Sequence, residues 1–235
     1  MSHSNFTAGY ILISTSIFTA DVLRWATVNY PQNLPYMLAL QQPGYKEMID
    51  FLHSIYPLPE LLREQLKMKV QYRKLEKGEF LLQAGEVCGH IYFISKGLLR
   101  CYYLTGKDNE EEVSTWFMEE ADACVSIDSF YDQVESYEFI HALEATEVFY
   151  ISYEELEAAY MDYIDFNVVG RILTLKYLKE WARQLRGIRK LSATERYLAL
   201  EEREPELVLR VPGMYLASYL DMASETLSRI RGKRI

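Results

Sequence analysis

Paired cysteines are missing from this sequence. The three present, Cys88, Cys101 and Cys124, are odd in number and far apart, and no CxxC occurs. Neither a disulfide framework nor a zinc knuckle is therefore signalled. The thiols fall in or near apolar, strand-like stretches and are expected to be small core residues. The four histidines, His3, His53, His90 and His141, are equally scattered, so no metal-ligand spacing exists and neither metal nor cofactor is expected. Long hydrophobic runs are also missing. Residues 10–20 are apolar but short, Ser and Thr interrupt them, and no Lys or Arg precedes them. Neither a membrane span nor a secretory leader is expected, and the cytoplasm is the expected compartment. No Ser/His/Asp arrangement or phosphate loop occurs, and the adjacent Glu119 and Glu120 read as solvated loop charge, so an enzyme is not expected.

Positive charge is missing from one long stretch: between Asp108 and Asp165 there is no Lys or Arg. The whole chain carries 25 Lys/Arg against 34 Asp/Glu, a net charge of −9. The balance is uneven. Residues 166–235 hold 14 Lys/Arg and 8 Asp/Glu, or +6, which leaves 11 and 26, or −15, for residues 1–165. A basic end on an acidic body points to a polyanionic partner; a chance imbalance of solvated faces is the alternative.

Residues 1–36 carry only Asp21 and Arg24 as charges and show no sustained period, and Pro31 and Pro35 break their end. Residues 1–44 are accordingly set aside as an N-terminal extension. Translation starting at Met37 or Met48 is one expectation, and an arm packed on the body is the other. Residues 45–69 follow a helical pattern broken at Pro57 and Pro59. The period then changes. Segments 70–75, 80–83, 90–96, 98–104, 111–118, 124–127, 139–143 and 147–152 are short and rich in aromatic or β-branched residues, with turn residues between many of them. About eight strands at this spacing predict an antiparallel sandwich or barrel.

Beyond Ser152 the pattern is helical. Residues 153–163 predict a short helix and residues 166–186 a long one. Val168, Ile172, Leu175, Leu178, Ala182 and Leu185 recur at steps of three and four, close to the seam that pairs two helices. A single helix packed on its own barrel is the alternative. Ser192 and Glu195 form a capping box that opens a helix over 193–200. Residues 201–206, with Pro205, predict a loop.

Residues 214–234 hold the most informative pattern. Leu216, Ala217, Leu220, Met222, Leu227 and Ile230 supply the apolar and small positions of two crossing helices, and Pro212 precedes the first. Asp221 occupies the turn, where a left-handed backbone is needed; Asp reaches that conformation more easily than most residues. The second helix then presents Ser224, Glu225, Ser228 and Arg229. Arg can donate a fork to guanine and Glu can accept from cytosine. Ser224 and Thr226 suit phosphate contacts near a helix N-terminus, and Arg231, Lys233 and Arg234 add backbone charge. Two alternatives stand beside DNA recognition: an ordinary helical hairpin, or a Glu225–Arg229 pair at i and i+4 that satisfies itself.

Three segments resemble the Crp/Fnr family of bacterial transcription regulators. Leu75-Glu76-Lys77-Gly78-Glu79-Phe80 with Gly85 looks like that family's first barrel turns. Tyr92-Phe93-Ile94-Ser95-Lys96-Gly97-Leu98-Leu99-Arg100 looks like its hairpin, and Ser224-Glu225-Thr226-Leu227-Ser228-Arg229-Ile230-Arg231 like its recognition helix. The resemblance covers about residues 70–235. It implies an α+β chain: a jelly-roll sensor domain of the cyclic-nucleotide-binding type over 45–165, a dimerisation helix over 166–189, and a helix-turn-helix domain over 190–235. It also implies a homodimer that binds a double-stranded operator and works with RNA polymerase. The family's iron–sulfur subgroup is not matched, because no cysteine cluster exists.

Two departures stand out. Members that bind cyclic nucleotides carry Gly-Glu before a short helix and an Arg-bearing pair after it. Anchored on Ala142-Leu143-Glu144-Ala145-Thr146-Glu147-Val148, these pairs fall on Val125-Ser126 and Ser136-Tyr137, and both key charges are missing. The effector pocket is therefore expected to be degenerate toward cyclic AMP, with the effector itself unknown. Many members also continue into a β-hairpin wing; here the chain ends at Ile235, and the basic tail is expected to replace wing contacts. The competing reading is a ligand-sensing or scaffold module of the same fold that no longer binds DNA.

Overall fold

The computed structural model describes residues 34–108 and 111–232. The segment 1–33 and the basic residues Lys233 and Arg234 lie outside the described residues. Three helices come first: α1 (Leu34–Leu40), α2 (Pro43–Ile55) and α3 (Glu60–Lys69). Pro43 sits in the first turn of α2, where its missing N–H costs nothing. The boundary expected at residue 44 falls inside α2, and Ala39 of α1 is fully buried. The apolar face of this layer, with Met48, Leu62 and Leu66, joins the barrel core, so the helices belong to the body they precede.

Eight strands follow: β1 (Gln71–Leu75), β2 (Phe80–Leu82), β3 (His90–Lys96), β4 (Leu99–Thr105), β5 (Glu111–Met118), β6 (Ala123–Cys124), β7 (Glu138–Ala142) and β8 (Thr146–Ser152). They form two antiparallel four-stranded sheets, ordered β1-β8-β3-β6 and β2-β7-β4-β5. About eight strands were expected from short aromatic and β-branched segments separated by turns, and eight are present among the described residues. The sheets enclose Ile94, Leu99, Cys101, Cys124, Ile140 and Val148, all buried. The three cysteines are free and buried, as expected of core residues. The expected strand over 124–127 shrinks to two residues. Ile127 instead opens helix α4 (Ile127–Asp132), which seats Phe130 against Tyr153 with ring centroids 5.4 Å apart. The helix lies between the pairs 125–126 and 136–137, where the family resemblance implies a short one.

Gly97 joins β3 to β4 at φ +100°. A Cβ there would lie 2.6 Å from Thr146 Cα and 2.8 Å from the Ala145 carbonyl oxygen. Gly97→Ala must therefore strain both its own backbone and a close contact of backbone with backbone. A stability loss of about 2–4 kcal/mol is expected, read as a lower urea midpoint with an unchanged slope.

Past the barrel, a Ser152–Glu155 capping box starts α5 (Tyr153–Asp162), and α6 runs over Ile164–Lys190. The expected Ser192–Glu195 box opens α7 (Ala193–Arg203). The loop expected over 201–206 is not there. α7 continues to Arg203, Glu204 leaves helical geometry, and Pro205 begins α8 (Pro205–Arg210). Pro is a poor interior residue but a good first residue, so it divides two helices without a loop between them. Last come α9 (Gly213–Tyr219) and α10 (Ser224–Gly232). Their apolar faces, Leu216, Ala217, Leu227 and Ile230, share a core with Tyr197, Leu200, Leu207 and Val208. Leu98, Phe117 and Leu143 of the barrel belong to that same core, which ties the C-terminal helices to the second sheet.

Candidate functional site

α9 and α10 meet at a tight turn. Asp221 has φ +53°, the left-handed conformation expected of it. Its amide donates to the Ser218 carbonyl (3.0 Å), and the Met222 amide donates to that of Ala217 (3.0 Å). Arg196 of α7 clamps the turn: Nε donates to the Leu220 carbonyl and Nη2 to that of Asp221, both at 2.8 Å. Sequence reading missed this clamp, because its partners are backbone atoms more than twenty residues away. On α10, Leu227 and Ile230 face inward, while Ser224, Glu225, Ser228 and Arg229 are exposed. None of those four side chains forms a hydrogen bond or ion pair among the described residues. The Glu225–Arg229 pair is thus not made, which leaves both groups available to a partner. Thr226 is half-buried and lines an open groove with Arg229 and with Ser192 and Thr194 at the start of α7. Arg231 points inward. Its Nη2 donates to the Val208 carbonyl (3.2 Å) and its Nε to the Tyr197 hydroxyl (3.4 Å). It fastens α10 to α7 and α8 rather than facing solvent with Arg229.

Helix α6 carries two apolar stripes. Phe166 and Val169 face the barrel and are buried. Further along that face, the Tyr177 hydroxyl accepts from the Ala123 amide (2.7 Å), and Lys176 pairs with Asp122 (2.7 Å). The other stripe is open. Ile172, Leu175 and Leu178 are exposed, and Val168, Ala182 and Leu185 are half-buried. Trp181, 56% exposed, extends the same stripe, as do Ile164 and Ile188. The three-four pattern of the sequence did not include Trp181, which sits one step off the seam.

The four positions of the expected effector pocket cluster only in part. Ser126 and Ser136 are buried with their hydroxyl oxygens 3.0 Å apart. Val125 packs on the barrel core, whereas Tyr137 is exposed and meets Tyr103 edge-on. The partner the sequence did not reveal is Glu138. Its carboxylate accepts from Ser126 (2.9 Å) and from Thr115 (3.1 Å). Burial raises the Glu138 pKa, and those two hydroxyls only partly oppose it. Beside Ser126 and Ser136 this barrel therefore presents a half-buried carboxyl group. Among the described residues no cluster of His, Cys, Asp or Glu could hold a metal ion, and no helix is long and apolar enough to cross a membrane.

The jelly-roll, the long helix and the C-terminal helices together form an arrangement that is also found in solved proteins. Residues 72–163 match the cyclic nucleotide-binding domain family. Over the larger part of the chain the fold is that of several solved structures. FixK2 from Bradyrhizobium japonicum superimposes with a TM-score of 0.60 at 18% identity, covering 70% of this chain and 83% of that one. A regulator assigned to the crp/fnr family from Eubacterium rectale gives 0.59 at 17%, over 75% and 85%. CLP from Xanthomonas campestris, described as c-di-GMP responsive, gives 0.58 at 18%, over 74% and 91%. No curated protein sequence matches the chain.

Proposed function

We propose that this chain is a homodimeric, sequence-specific DNA-binding transcription regulator of the Crp/Fnr type, not an enzyme, with an effector pocket that rejects cyclic AMP. The observation that carries the reading is the solvent face of α10, where Ser224, Glu225, Ser228 and Arg229 stand side by side with no partner among the described residues. Charged groups left free on one short helix, over a turn clamped by Arg196, are suited to reading base edges. Thr226, with Ser192 and Thr194 at the start of α7, suits phosphates at the groove rim. Arg231 acts by holding α10 in place, and Lys233 and Arg234 add charge for the backbone. The unpaired stripe of α6 is the dimer seam, and RNA polymerase is the further partner of a regulator working in the cytoplasm. The body comprises the sensor domain 45–165 with its helical layer, the dimerisation helix 166–189 and the DNA-binding domain 190–235.

The test is selection of bound duplexes from a random pool. A partial palindrome should emerge, with half-sites about one helical turn apart or a small multiple of it. Recovery of no motif would sink DNA reading and leave a ligand-sensing or scaffold module as the better account.

Rejection of cyclic AMP follows from charge. The nucleotide's phosphate would lie in a segment without a Lys or Arg from Asp108 to Asp165, beside the half-buried Glu138. An anion placed against a carboxyl in low dielectric is costly. Isothermal titration should show no binding at micromolar nucleotide. Micromolar affinity would overturn this account and point to a cation reaching in from α6, such as Arg171 or Lys176.

A further inference from the structure

Arg100 on β4 is completely buried although it carries a full charge. It projects from the outer face of the second sheet toward α9. Its Nε donates to Ser114 Oγ (2.8 Å) and its Nη1 pairs with Glu112 (2.6 Å). The guanidinium lies between two rings, 4.3 Å from the centroid of Tyr102 and 3.7 Å from that of Tyr215. Tyr102 belongs to the barrel and Tyr215 to the helix-turn-helix, so this one cation joins the two. Among the described residues its Nη2 has no hydrogen-bond partner, nor has Nδ1 of His141, which stands across from Arg100 on β7. Burial, aided by the Arg100 charge, holds the His141 pKa down to about 4, so a second cation is not added there.

One turn beyond Tyr215, Ser218 completes the junction. Its hydroxyl accepts from the Ser114 amide (3.0 Å) and donates to the Glu112 carbonyl (2.9 Å). β5 is an edge strand, and these are backbone groups that an edge leaves unpaired. Arg210 adds an outer tether to Glu120 and Glu144, at 2.8 and 2.7 Å. Arg100 is buried while its partner Glu112 stays exposed at the edge, so the cation is held by the directions of Ser114, Glu112 and the two rings rather than by a fully desolvated ion pair. A joint made this way fixes an angle without making separation prohibitive. With the junction closed, the DNA-facing residues of α10 remain exposed, so the closed form is compatible with binding.

We propose that Arg100 is a positioning residue for DNA binding: acting through Tyr215 and Ser218, it fixes α9, and with it α10, at the angle to the barrel that DNA requires. This rests on the DNA-binding reading above. It makes β4 and β5 the route by which a change in the barrel reaches the recognition helix.

The experiment compares full-length wild type, Arg100→Met, Arg100→Lys and Ser218→Ala. Ser218→Ala removes the two edge bonds without disturbing a buried charge, so it stays informative if an Arg100 variant fails to fold. Hydrogen exchange is read at the Ser114 amide. Binding to the selected operator duplex is read by anisotropy across a salt series. Ser218→Ala and Arg100→Met should speed exchange at Ser114 and weaken operator binding about tenfold. The salt slope should not change, because a fully buried Arg100 makes no phosphate contact. Arg100→Lys should not rescue, since an ammonium cannot serve Ser114 and Glu112 while stacked between two rings. Faster exchange with unchanged or tighter operator binding would overturn the positioning role and leave DNA reading intact. Unchanged exchange in Ser218→Ala would overturn the junction itself. A wild type that binds no duplex would remove DNA reading, and the positioning role with it.

Discussion

Ile172→Glu combined with Leu175→Glu is expected to turn a dimer into folded monomers. Both side chains are exposed on the outer stripe of α6, 37% and 40%, and neither contributes to the barrel core. The substitutions should therefore spare the fold, with circular dichroism and urea midpoint near those of wild type. In a paired seam, however, each glutamate would be buried without a counter-charge and face its symmetry mate, which is strongly unfavourable. Light scattering should give half the mass of wild type. Operator affinity should fall by roughly 10²–10⁴, because each half-site then binds without the effective concentration supplied by its linked partner. A folded double variant with unchanged dimer mass would show that the subunits pair elsewhere. In that case the stripe centred on Leu178 and Trp181 would need another role.

Arg229→Ala is expected to weaken operator binding by about 1–3 kcal/mol per half-site, and by roughly twice that for a two-fold site. Arg229 is exposed on α10 and forms no hydrogen bond or ion pair among the described residues, so truncation should not disturb the fold. Selection with the variant should lose information at one base pair per half-site, where the guanidinium fork meets both acceptors of a guanine. Lys233→Ala and Arg234→Ala should differ in kind. They should weaken binding similarly on every sequence and flatten its salt dependence, as lost phosphate contacts do. If wild type and Arg229→Ala recover the same motif with the same information at every position, Arg229 does not read a base.

What local sequence determined here is whatever rests on short-range physics. The eight strands were legible because aromatic and β-branched residues favour extended backbone and turn residues mark where it reverses. Both the Ser192–Glu195 box and the left-handed Asp221 were legible because a cap and a turn depend on residues three or four apart. The two faces of α10 followed from helical period alone. Tertiary structure decided matters in which distant segments compete for the same space or proton. It let Pro205 begin a helix where a loop was expected. It turned Arg231 inward to Tyr197 and Val208, whereas its sequence position among basic residues suggested solvent. It also placed Glu138 against Ser126 and buried Arg100 between rings of two structural units. A charged residue in a strand reads as solvent-facing unless a partner covers it. Arg100 is covered by Tyr215, more than a hundred residues further along the chain, and no pattern within either segment can announce that contact.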